Sequence, residues 1–312
     1  MNPIARNINP FTDFGFKKLF GEEVSKDILL DFLNAVLEDE VGEIVDLEYA
    51  KNEHLGTSEL DRKVVFDIFC RTASGERIII EMQKFFQTHY KERSLYYTTF
   101  AIQEQAVKGE WDFRLYPVYC ISLLDFVLRD PEVDSEKYFH TVKLLEVETG
   151  KVFNDKLSFI YIEMPKFNKN VEDLETKFEK WMYLLTRLEF LERLPEALQH
   201  KIFEKVMSIA ELLKLEKTDR QAYEESLKKH RDLKNAMDTQ YMLGVEEGIE
   251  KGMEKGMEQG IEKGREEGIA TGIEKGIEKA AIMMLKAGED PVHVARILGL
   301  SKAQIESLSI EE

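Results

Sequence analysis

The chain has 312 residues, 43% of them hydrophobic, enough for one large domain or two small ones around a packed core. Its two cysteines, Cys70 and Cys120, make neither a disulfide framework nor a zinc set; with no apolar leader and no run of roughly 18 apolar residues, the expected setting is the cytoplasm, off the membrane. A formal charge of −17 rules out nucleic-acid binding through bulk charge, leaving only a local basic patch set against that field.

In chain order, TDFGFKKLFG (12–21) reads as a short helix capped by Thr12 or Asp13 and stopped by Gly21. The stretch 22–39 carries Ile28, Leu29, Phe32, Leu33, Val36 and Leu37 at helical spacing. Residues 43–55 read as a strand. RKVVFDIFCR, a turn around Ser74-Gly75, and RIIIEMQ read as a β-hairpin. Residues 88–109 read as a helix and 115–126 as a further strand. Residues 138–167 read as two strands around Thr149-Gly150 that extend the sheet. The first 165 residues thus form an α/β core of order α-β-β-β-α-β on a mixed sheet. Residues 166–242 turn helical, with Trp181 to Leu185 as core. Residues 243–280 form a Gly-xxx-Gly repeat, and 281–312 a small helical tail.

The hairpin puts acids into a segment built for burial. Side chains alternate across a strand, so Asp61, Lys63, Val65 and Asp67 share one face, and Ile79, Glu81 and Gln83 share one face of the next strand. Val64, Phe66, Ile68, Ile78 and Ile80 are then expected to pack the opposite side. A buried carboxylate is costly unless paired, hydrogen-bonded or metal-bound. Two side by side repel, and a divalent cation relieves that repulsion; oxygen ligands with open positions suit Mg²⁺. The competing reading is an amphipathic hairpin with acids on its solvent face.

Several stretches together resemble the PD-(D/E)xK nuclease superfamily, and more closely the Rpn-type recombination-promoting nucleases, often labelled transposases. They are DFGFKKLFG (Asp13, Phe16, Lys17, Leu19, Phe20, Gly21), FDIFC (Asp67), IIIEMQ (Glu81, Gln83) and KERSLYYTT (Arg93, Tyr96, Tyr97). The resemblance implies Mg²⁺-dependent, or other divalent-cation-dependent, endonuclease cleavage of DNA in recombination or mobile-element biology. It implies Asp67, Glu81 and the Met82 carbonyl as metal ligands, with Asp13 adding or orienting one. Arg93 and Tyr97, a helical turn apart, would contact the DNA backbone or else pack the helix on the sheet. The wider fold has a lysine two residues after the second acid; here that residue is Gln83, which carries no charge. Lys63 and Lys17 are the candidate substitutes, each with a surface lysine as the alternative.

Other chemistry is thin. The six histidines (54, 89, 140, 200, 230 and 293) make no HExxH, and no G-x-S-x-G or Walker lysine occurs. Glycine recurs every fourth residue from Gly244 to Gly276, nine in all, each costing about 1 kcal/mol in a helix interior. The Gly stripe and an Ile/Met stripe beside it suggest a partly helical segment ordered against a second helix, most simply a second copy in a homo-oligomer; a mobile tether is the alternative. In the tail, Asp290-Pro291, Gly299 and Ser301 punctuate two short helices shaped like a helix-turn-helix. Two function classes follow: a metal-dependent DNA endonuclease, or a non-catalytic interaction protein acting through repeat and tail.

Overall fold

Thr12 caps the first helix, α1 (Asp13–Phe20), by accepting a hydrogen bond from the Gly15 N–H, and Gly21 ends it. The computed structural model describes residues 4–51, 53–54, 64–107, 109–128 and 136–308. The next helix, α2 (Lys26–Val36), buries Ile28, Leu29, Phe32 and Leu33, as their spacing predicts. The expected strand over 43–55 is split into β1 (Leu47–Tyr49) and β2 (Glu53–His54). Among the described residues the latter pairs with β3 (Val64–Val65), in a two-stranded ribbon.

The hairpin is β4 (Ile68–Thr72) and β5 (Arg77–Gln83), antiparallel. Gly75 closes it at φ 104°, with the Tyr116 ring against the space a Cβ would need. Helix α3 (Tyr90–Gln103) leads to β6 (Val118–Leu124), parallel to β5. A second hairpin, β7 (Phe139–Leu145) and β8 (Val152–Glu163), turns at Gly150 and adds β8 parallel to β6. The sheet order is β1-β4-β5-β6-β8-β7. The expected α/β core on a mixed sheet is the fold found.

Both faces of the central strands are covered, which explains the unbroken apolar run Ile78-Ile79-Ile80. Ile78 and Ile80 join the core with α1, α2 and two later helices, α4 (Lys177–Arg187) and α5 (Lys201–Ala210), while Ile79 packs on the α3 side. Trp181 is fully buried, its ring 5.6 Å from Phe32 and 5.1 Å from Phe203.

One expectation about the strand faces is corrected. Phe66 does not pack with Ile68 and Ile80. It lies on the α3 side with Phe69 and Tyr97, its ring 5.4 Å and 5.5 Å from theirs. The cause is a bend at Asp67 that separates β3 from β4, so strict alternation fails across it.

Two compact units divide the chain, Met1–Lys234 and Asn235–Glu312. The long helix α6 (Lys217–Lys286) runs through the boundary. In the first unit its opening turns sit on α1: the Tyr223 hydroxyl accepts from the Asn9 N–H (3.0 Å) and Ser226 Oγ from the Phe14 N–H (3.2 Å). In the second unit the end of α6 packs on α7 (Pro291–Leu298) and α8 (Lys302–Leu308) through Ala281, Val294 and Ile305. Asp290 caps α7, and Gly299 breaks it at φ 69°. The whole glycine repeat is helical within α6, its Ile/Met stripe exposed from Ile249 to Ile273 and the space beside every repeat glycine empty within 4 Å.

Candidate active site

The register of the first hairpin sets the site. Ile68 pairs with Ile80 and Phe69 with Ile79, so the ladder ends one step short of Asp67 and Glu81 and brings the two level. The bend at Asp67 replaces the ladder bond there. The Asp67 N–H donates to Glu81 Oε1 at 3.3 Å, and the Met82 N–H donates to Asp67 Oδ2 at 2.8 Å. Glu81 is buried and Asp67 half-buried.

Two acids in this position strain each other electrostatically. Burial, and then the neighbouring Asp67 charge, push the Glu81 carboxyl up to about 8, with Arg93 opposing. Burial also raises Asp67; the Met82 N–H, Lys17 and Lys84 pull the other way, while the Asp13 charge adds to the rise. A divalent cation suits this donor set: two hard carboxylates whose repulsion it would cancel. Asp67 and Glu81 would hold it. The Met82 N–H lies on the Asp67 side of β5, and in an extended strand its carbonyl leaves on that same side. Among the described residues no group of three or more His, Cys, Asp or Glu forms a fuller ligand cage.

Gln83 stands one pleat beyond Glu81 on the same face. Its Nε2 donates to the Phe85 carbonyl (3.1 Å) and its Oε1 accepts from Arg93 Nη2 (2.5 Å). Arg93 Nη2 also lies 3.8 Å from Glu81 Oε2, and Nη1 donates to Gln87 Oε1 at 2.6 Å. Its guanidinium sits over the rings of Tyr90 (5.2 Å) and Tyr97 (5.3 Å). Arg93 is thus turned towards Glu81, and Tyr97 packs between Arg93 and Phe66.

The remaining candidates are less central. Asp13 forms an ion pair with Lys84 at 2.6 Å and reaches Asp67 only through its charge. Lys17 is exposed on α1 and acts on Asp67 in the same long-range way. Lys63 lies outside the described residues.

Reading the sequence missed Lys84, Gln87 and Tyr90. Lys84 directly follows Gln83, and Tyr90 lies one helical turn before Arg93, so adjacency was the available signal. It also missed the fully buried acid Glu163. Glu163, at the end of β8, accepts from the Leu128 N–H (2.7 Å) and meets His140 (2.7 Å) and Lys166 (3.0 Å). These partners satisfy it, as a buried carboxylate requires.

No helix among the described residues is long and apolar enough to cross a membrane. No curated protein and no solved structure matches this chain. The family model described as PD-(D/E)XK nuclease family transposase matches residues 10–240, which span α1, the whole sheet and the opening turns of α6. The chain therefore belongs to the PD-(D/E)XK nuclease family transposases.

Proposed function

We propose that this protein is a divalent-metal-dependent endonuclease that hydrolyses DNA phosphodiester bonds in recombination or mobile-element movement. The observation that carries the reading is the Asp67–Glu81 pair, two acids opposed across a hairpin, both raised by burial and with a cation at their edge. When bound, a cation such as Mg²⁺ lowers the pKa of a water and offsets charge on the scissile phosphate. Asp67, Glu81 and the Met82 carbonyl would hold it. Hydrolysis forms one P–O bond from water and breaks another; water gives up a proton to solvent and the departing oxygen takes one up. Lys17 and Lys84, whose charges act on Asp67, add local positive potential against the chain's net charge of −17. Buried, unpaired Cys70 and Cys120 suit a cytoplasmic protein.

The test is nicking of supercoiled plasmid by purified protein, with and without Mg²⁺, beside Asp67→Ala. Mg²⁺-dependent nicking lost in the variant supports the reading. Equal nicking by a folded Asp67→Ala protein would put the chemistry elsewhere.

A second reading, a non-catalytic interaction protein, is favoured by α6. Ile249, Met253, Met257, Ile261, Ile269 and Ile273 are all exposed in a single chain. The two readings are compatible if the stripe joins copies of the nuclease into a homo-oligomer. Folded protein that self-associates and cuts no DNA with any divalent cation would leave the second reading alone.

A further inference from the structure

We propose that Arg93 is the cation of the catalytic centre and that Gln83 is the positioning residue that holds it there. This rests on the nuclease reading above. The wider fold that the sequence resembles carries a lysine where this chain has Gln83. An amide cannot supply that charge, but it can hold a group that does. Gln83 Nε2 is committed to the Phe85 carbonyl, which turns Oε1 towards Arg93 Nη2 at 2.5 Å. That nitrogen is 3.8 Å from Glu81 Oε2, and among the described residues Arg93 is the cation recorded within 4.0 Å of Glu81. Lys84 is held by Asp13, and Lys17 is exposed on α1.

The arginine is built in from all sides. Tyr90 and Tyr97, three before it and four after it on α3, offer ring faces to the guanidinium. Gln87 takes Nη1 at 2.6 Å, and buried Nε has no acceptor among the described residues. A guanidinium stays charged at any working pH, so Arg93 takes no proton from water. Its contribution is a fixed positive charge and a fork of donors for non-bridging phosphate oxygens. The long 3.8 Å approach to Glu81 leaves Nη2 room to engage such an oxygen while Gln83 keeps its place.

The experiment uses the full chain, checked by circular dichroism. Arg93→Ala should slow Mg²⁺-dependent nicking by about a hundredfold or more, the cost of removing one preorganised donor. Added guanidinium should restore part of that rate, and should do nothing for Asp67→Ala. The double variant Q83K/R93A, with a lysine at the motif position, should outpace R93A. A second readout needs no turnover: Mn²⁺ titrated calorimetrically without DNA should bind R93A several-fold more tightly than wild type, because a like charge has left the site. If R93A does not fold, Gln83→Ala is read instead. It keeps both aromatic contacts and should lose about tenfold in rate, the worth of one hydrogen bond to a charged group, with Mn²⁺ affinity retained.

The proposal alone is overturned if wild type nicks DNA and folded R93A nicks as fast. It is also overturned if R93A is slow, guanidinium-insensitive and weaker in Mn²⁺ binding, the pattern of a packing residue. A wild-type protein that neither binds Mn²⁺ nor nicks overturns the nuclease reading together with it.

Discussion

Replacing Glu81 with glutamine should stabilise the metal-free protein at alkaline pH. Glu81 is 5% exposed, and its carboxyl rises from 4.5 to about 8 on folding. A carboxylate raised in the folded state binds its proton more tightly there than in the unfolded chain. The stability this contributes is therefore complete below pH 4.5 and is lost as pH rises to about 8. The gap of about 3.5, at ~1.4 kcal/mol for each tenfold, sets a ceiling of about 5 kcal/mol on the loss. Relaxation and water entry around the buried charge reduce it to about 2–4 kcal/mol. Because Asp67 shares the repulsion, the step belongs to the pair. Glu81→Gln keeps the shape, removes the charge and leaves Arg93 its bonds to Gln83 and Gln87. Urea unfolding in EDTA at pH 5 and pH 9 is the assay. Wild type should lose stability between the two, and the variant should lose much less and exceed wild type at pH 9. Added Mg²⁺ should stabilise wild type at pH 8 and leave Glu81→Gln unmoved. A variant less stable than wild type at pH 9, with the pH slope intact, would refute the idea that repulsion and burial dominate this pair.

Asp67→Ala should abolish Mg²⁺-dependent nicking while retaining a cooperative unfolding transition, read by plasmid gel and circular dichroism. Gly75→Ala should destabilise the core by about 1–3 kcal/mol in urea, since φ 104° strains any other residue and Tyr116 fills the Cβ space. Truncation after residue 242 should leave the core folded and reduce self-association in sedimentation; identical oligomers of both lengths would show that the repeat is not the assembly element. Alanine at Gly252, Gly256 and Gly260 together should raise helix content, by about 1 kcal/mol at each site, since nothing lies within 4 Å of any added Cβ in the single chain. Assembly through that stripe should weaken in the same triple variant, a split measured by circular dichroism against sedimentation.

The carboxylate pair was legible because a hairpin is a strong local signal. The turn at Ser74-Gly75 sets the register in which Ile68 pairs with Ile80, and that register brings Asp67 level with Glu81. The bend at Asp67 was not legible, since it depends on the Met82 N–H of the opposing strand, which donates to the Asp67 carboxylate. The direction of Arg93 was hidden for a different reason. The face of α3 that meets the sheet is Tyr90, Ser94, Thr98 and Ala101, small or polar residues, while Leu95 and Tyr96 are exposed. Hydrophobic periodicity therefore misjudges which way this helix turns, and with it the side on which Arg93 emerges. The Lys84–Asp13 pair joins residues 71 apart in sequence, a contact no local pattern encodes.

The repeat sharpens the same lesson. Glycine costs predict that residues 244–279 are helical only where they are covered, yet α6 carries them as continuous helix with both stripes bare. Proline is absent from the segment, so nothing breaks the hydrogen-bond ladder. Exposed pairs such as Lys251–Glu247 at 2.8 Å return only about 0.2–0.5 kcal/mol each. Nine glycines at about 1 kcal/mol outweigh that return severalfold. Local energetics of one chain thus leave this helix short of stability, and burial of the Ile/Met stripe is the term large enough to close the gap. Each such side chain returns about 1.5–3 kcal/mol when covered. Six exposed stripe residues, Ile249 to Ile273, are then sufficient to offset the glycines once a second helix lies against them.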